Sequence, residues 1–144
     1  MYQMQNDCLS VRFDGQGRLT WLENKKSGYG NVIASPAADS FKLVYQQGEN
    51  WENVVFGSRQ QYQAIQSDDR IDFRLSSVRT VDQTVAIAIT LSVSLQGENL
   101  VFDALIDNQA DALITDFCYP QVGVLKTLAG GPPALLWPRQ SGEM

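Results

Sequence analysis

Apolar and polar residues alternate along most of this chain. The clearest run covers 85–95. Val85, Ile87, Ile89, Leu91, Val93 and Leu95 occupy every second position, with Ala, Thr and Ser between them. That is the period of a strand with one buried face, and a helix would scatter the same residues around its circumference. Shorter runs read alike. Leu9, Val11 and Phe13 alternate within 8–13, and 18–22 is the return strand after the Gly-rich turn 14–17. Phe41, Leu43 and Tyr45 share one face, and 71–75 alternates after the turn-like 67–69. Residues 96–99 read as a hairpin turn leading into a strand over 100–106, and a further strand is expected over 112–118. The irregular, Gln-rich stretch 54–66 fits a strand pair or one short helix. No segment shows a sustained helical period.

Six to nine strands at roughly ten-residue spacing predict an all-β fold, a two-sheet, mostly antiparallel β-sandwich. The expected core is Val11, Phe13, Leu19, Trp21, Leu43, Phe73, Leu75, Ile87, Ile89, Leu91, Val93, Phe102, Ile106 and Ile114. The tail differs. Gly130, Gly131, Pro132 and Pro133 break regular structure. The apolar run 134–137 then ends in Trp137-Pro138. Such a tail predicts a continuation, so 1–144 is expected to be one β-sandwich domain at the N-terminal end of a larger protein.

At 144 residues and 44% apolar content the chain can bury a core as a single domain. Sixteen acidic and eleven basic residues give net charge −5. With no Lys/Arg cluster, nucleic acid is not an expected partner, and an anionic membrane surface would repel the chain. No apolar stretch is long enough to span a bilayer as a helix. There is no His, which excludes Ser-His, Cys-His and His-metal chemistry. No metal site or cofactor is expected, and no catalytic residue is assigned. Cys8 and Cys118 are expected to be buried free thiols rather than a disulfide. The opening residues show neither the basic nor the apolar segment of a signal peptide.

Family likeness enters through three stretches. Residues 11–28 hold Asp14-Gly15-Gln16-Gly17-Arg18-Leu19 and then Asn24-Lys25-Lys26-Ser27-Gly28. Residues 102–108 and 114–123 hold a strand ending in Asp107-Asn108 and one running into Tyr119-Pro120-Gln121-Val122-Gly123. Residues 136–143 hold Trp137-Pro138-Arg139-Gln140-Ser141-Gly142-Glu143. Together these resemble the N-terminal, galactose-mutarotase-like β-supersandwich domain of large glycoside hydrolases. The resemblance implies an accessory domain that precedes, and packs on, a downstream catalytic domain of the same polypeptide. Aldose epimerases of the mutarotase type use a His general acid, so that activity does not carry over to a chain without His.

Sugar sites need an aromatic face against the pyranose ring and flanking polar groups for its hydroxyls. Trp51 lies in the polar stretch 46–53, expected to be a loop. There it would touch sugar or fold back over the sandwich edge. Tyr119, Trp137 and Arg139 are the other candidates for carbohydrate contact or a domain interface; Tyr62 and Tyr29 are further loop aromatics. Carboxylate pairs do not suit glycoside hydrolysis. Asp68 and Asp69 adjoin in a turn, and Asp103 and Asp107 stand about 13 Å apart along one strand. Two alternatives accompany the accessory reading: a stand-alone carbohydrate-binding module, and a structural domain that dimerises through open edge strands.

Overall fold

A computed structural model describes residues 1–131. The fold is an all-β sandwich built from several antiparallel sheets, with no closed barrel. β1 (Tyr2–Gln5), β2 (Leu9–Phe13) and β3 (Leu19–Asn24) form a three-stranded meander. After β4 (Ile33–Ser35), the hairpin of β5 (Lys42–Gln47) and β6 (Asn50–Phe56) begins a second sheet. A 3-10 turn, Gly57–Arg59, leads to β7 (Gln63–Gln66) and β8 (Arg70–Leu75). β9 (Val78–Arg79) and β10 (Thr84–Val85) form a small ladder of their own. β11 (Ile87–Gln96) and β12 (Asn99–Asn108) then complete a four-stranded sheet in the order β12-β11-β8-β7. β13 (Leu113–Cys118) returns beside β5, giving β13-β5-β6, and β14 (Val124–Leu125) pairs β4.

The turn chemistry follows the sequence. Asp14 Oδ1 accepts the backbone amides of Gln16 and Arg18, and its Oδ2 pairs with Arg18 Nε at 2.7 Å. Gly17 supplies the left-handed φ of 70° that closes this hairpin. In the β11–β12 hairpin Gln96 faces Asn99, and Gly97 takes φ 62°.

One core joins the sheets. Phe13, Phe41, Leu43, Tyr45, Val55 and Phe73 are buried, along with the whole inward row of β11. Phe73 meets Tyr2 edge-on at 5.5 Å between ring centres, and Phe13 at 6.1 Å. These contacts fasten the meander to the four-stranded sheet. Phe102 meets Tyr119 at 5.7 Å, which ties the β13 end to the same core.

Five expectations need correction. Trp21 is not in the core. A bulge shifts the β2–β3 register, so Leu19 faces Phe13 but Trp21 faces Arg12. A one-residue slip turns every later side chain to the other face. Leu22 therefore points inward, and Trp21 lies half-buried outside under the Arg12 guanidinium, 4.5 Å from the ring centre. The 85–95 strand breaks at Ala86, whose carbonyl instead accepts the Gln109 amide. Cys118 is a free thiol, but exposed, because its register partner is Lys42 on the outer face; Cys8 is free and half-buried. Phe102, Ile106 and Ile114 are half-buried rather than fully enclosed, since β12 and β13 are edge strands. Residues 54–66 form neither a helix nor a hairpin: they hold the end of β6, the 3-10 turn and β7.

Candidate functional site in the polar cleft of the four-stranded sheet

The outward face of the four-stranded sheet is built by register. Ser92 stands beside Asp72 on β8 and Asp103 on β12; Thr90 stands beside Arg74 and Leu105; Gln63 on β7 stands beside Arg74. Small side chains on β11 leave the face low, and the longer side chains of β8 rise over it.

At its centre Asp72 organises the charges. Ser92 Oγ donates to Asp72 Oδ1 at 2.7 Å, and Arg70 Nε donates to the same oxygen at 2.8 Å. Arg70 Nη2 also donates to Ser92 Oγ at 2.9 Å. Arg74 Nη2 lies 3.6 Å from Asp72 Oδ2, beyond good hydrogen-bond length. Burial by itself would raise the Asp72 pKa. The hydrogen bonds from Ser92 and Arg70 and the two guanidinium charges outweigh it, so the carboxyl titrates below its usual range.

Beside this network opens a cleft of about 410 Å³, lined by Gln61, Tyr62, Gln63, Arg74, Leu75, Ser76 and Thr90. Tyr62 borders the cleft just before β7, but its ring packs on the core side of the sheet, against buried Phe73. The Tyr62 hydroxyl donates to the Gly57 carbonyl at 2.7 Å and lies 3.1 Å from Ser40 Oγ. Its ring stands edge-on to Phe73 at 6.2 Å. Burial pushes the Tyr62 pKa up to about 12, with the Asp39 and Asp14 charges adding to it against the Ser40 hydrogen bond. Tyr62 is therefore a fixed, neutral group on the core side. The two glutamine amides, two hydroxyls and one guanidinium that line the cleft form a set that can bind a hydroxylated ligand. A second cleft of similar size, between the β5–β6 turn and 110–113, holds neither an aromatic ring nor a cation.

The described candidates, Trp51 and Tyr119, are not brought together. Trp51 lies on β6, in a strand rather than a loop, and is 77% exposed. Tyr119 lies beyond β13, two strands across that sheet. It is wedged between Phe102 and Phe117, with its hydroxyl 3.4 Å from the Ser92 carbonyl. Burial raises its pKa, the Asp103 and Tyr62 environment adding to the effect. Tyr29 is exposed, its hydroxyl 3.5 Å from the Ala129 carbonyl. Trp137 and Arg139 lie outside the described residues. Asp103 and Asp107 both line the outward face of β12, and Asp68 and Asp69 sit in the β7–β8 turn. Among the described residues no three His, Cys, Asp or Glu side chains converge as metal ligands would.

Of the cleft, sequence reading picked out only Tyr62. Arg74 and Thr90 read as ordinary solvent-facing positions of their strands. Only the β7–β8–β11 register makes them neighbours. No protein-family model matches this chain, and no curated protein matches it.

Proposed function

We propose that this chain is a non-catalytic accessory domain of a glycoside hydrolase, which packs against a neighbouring domain of the same polypeptide and borders its substrate cleft. The open side of the sandwich carries the reading. β12 is paired to β11 over ten residues, and no described strand pairs with its other edge. Its inward row of Leu100, Phe102, Ala104 and Ile106 is half-buried, whereas the inward row of β11 is at most 6% exposed. Leu105, on the outward face of the same strand, stands 70% exposed. A long free edge with apolar residues on both faces is a surface that a neighbour covers. The carboxylates of Asp103 and Asp107 on that edge discourage pairing between two copies and favour a different partner.

The test compares the 144-residue chain with a version extended by the residues encoded after Met144. The edge-facing amides of β12 exchange at least tenfold more slowly in the extended protein, and the short chain does not hydrolyse aryl glycosides. A reading frame that closes at Met144, unchanged β12 exchange, or enzyme-like hydrolysis by the short chain refutes the reading.

A second reading, a carbohydrate-binding module, is favoured by the exposure of Trp51 next to Glu52 and Asn50. It requires glycan binding that Trp51→Ala abolishes, measured on a broad glycan array.

A further inference from the structure

We propose that the free edge of β12 takes up a strand of the neighbouring domain by backbone pairing, and that this strand alternates apolar residues with Lys or Arg. This rests on the accessory-domain reading, which puts a neighbour at that edge; the edge itself defines how the neighbour is held.

The backbone of β12 has one side open. Gln109 donates its amide to the Ala86 carbonyl. The same alternation along the ladder commits the backbone groups of Val101, Asp103, Leu105 and Asp107 to β11. Those of Leu100, Phe102, Ala104 and Ile106 point to the free edge. There Asp103 Oδ1 accepts the Ala104 amide at 2.8 Å, as a donor with no strand beside it requires. The same four side chains form the half-buried inward row, and Phe102 meets Phe13 and Tyr119 at 6.3 and 5.7 Å between ring centres. A strand added here extends that apolar row by one strand width, about 4.8 Å.

The outward row sets the charge of that strand. Asp103 and Asp107 are exposed, with exposed Leu105 between them. The guanidinium groups of this sheet lie two strands away on β8, where Arg70 and Arg74 approach Asp72. Among the described residues no Lys or Arg pairs with Asp103 or Asp107. An incoming Lys or Arg beside either carboxylate makes an opposite-charge cross-strand pair, and its methylene stem covers Leu105. Drawing the Asp103 carboxylate towards that cation releases the Ala104 amide for the new ladder. A strand with Asp or Glu at those places sets like charges side by side and is rejected.

Amide chemical-shift titration and hydrogen exchange on the 144-residue protein, with synthetic heptapeptides as probes, test the proposal. A peptide of alternating Lys and Val binds at millimolar concentration. It shifts the amides of 100–106, Ala104 among them, and slows exchange at Leu100, Phe102 and Ile106. The peptide with Glu in place of Lys does not bind. Nor does a Lys/Val copy N-methylated at every amide, which keeps the charge but cannot pair. Combining Asp103→Lys with Asp107→Lys weakens the Lys/Val peptide by about threefold to thirtyfold, the range for losing two cross-strand charge pairs. The proposal is overturned by equal binding of the Glu/Val or the N-methylated peptide, by shifts centred elsewhere, by edge amides already slow without peptide, or by no binding at millimolar concentration. If the peptides fail, slow β12 exchange in the extended protein overturns the strand but keeps the neighbour, whereas unchanged exchange overturns both.

Discussion

Phe73 fastens the three-stranded meander to the four-stranded sheet, and removing its ring tests that. The residue is 1% exposed. It touches Tyr2 at 5.5 Å, Phe13 at 6.1 Å and Tyr62 at 6.2 Å, from three different segments. A Cβ built on Gly17 would come within 3.4 Å of the same ring. Phe73→Ala removes a fully enclosed aromatic and leaves a cavity that rigid sheets cannot collapse. That class of change costs about 3–5 kcal/mol. The top of the range is expected, because three edge-to-face or tilted aromatic contacts vanish together, each worth roughly 0.5–1.5 kcal/mol and not fully additive. With about 2 kcal/mol/M as the urea slope, the unfolding midpoint falls by roughly 2 M. The melting temperature falls by roughly 8–16 °C. Urea unfolding followed by tryptophan fluorescence measures this. Val81→Ala, at an 82% exposed position, is the control and stays within about 0.5 kcal/mol of the parent. A loss below about 1.5 kcal/mol would refute the argument that Phe73 fastens the meander to the four-stranded sheet.

Gln60 is 7% exposed, and its amide donates to the Phe56 and Arg79 carbonyls while accepting the Arg79 amide. Gln60→Ala strands three backbone groups and lowers stability by about 2–4 kcal/mol in urea unfolding. Gly17→Ala forces an L residue into φ 70° and costs about 1–2 kcal/mol, seen as a lower melting temperature. The folded pKa of Asp72 lies below its unfolded value, so its contribution is complete above the ordinary carboxylate range and fades as pH falls through the folded value. Asp72→Asn therefore flattens the acid limb of a stability-versus-pH curve measured by urea midpoint. Tyr62 is shifted upward from 10.0 to about 12, so its contribution holds below pH 10 and is lost as pH rises through about 12. Tyr62→Phe removes that alkaline dependence, and absorbance at the phenolate band assigns it.

The strands that alternate without interruption are legible from residue order alone. Ile87, Ile89, Leu91, Val93 and Leu95 all turn inward, and the turns at 14–17 and 96–99 fall where Asp and Gly place them. Legibility ends at bulges. Leu19 and Trp21 look like one apolar row, yet the slip opposite Arg12 and Phe13 sends them to opposite faces. A bulge changes no residue type, so periodicity cannot register it. Trp51 misleads in the other direction. Its Gly, Glu and Asn neighbours read as a loop, but the backbone of Asn50–Phe56 pairs with β5, and the polar side chains face solvent from a strand.

What residue order determined here is which segments are strands and which of their faces are apolar. That follows from local sterics and from the cost of leaving apolar rows in water. Which strands become neighbours is a tertiary matter. Gln63, Arg74 and Thr90 acquire a common cleft only once β8 has aligned between β7 and β11, and that alignment is chosen by the buried side of each strand, with Phe73 and Leu91 facing one another there. The outward residues have no say in the register that unites them, so a site made of them stays invisible until the core has set it.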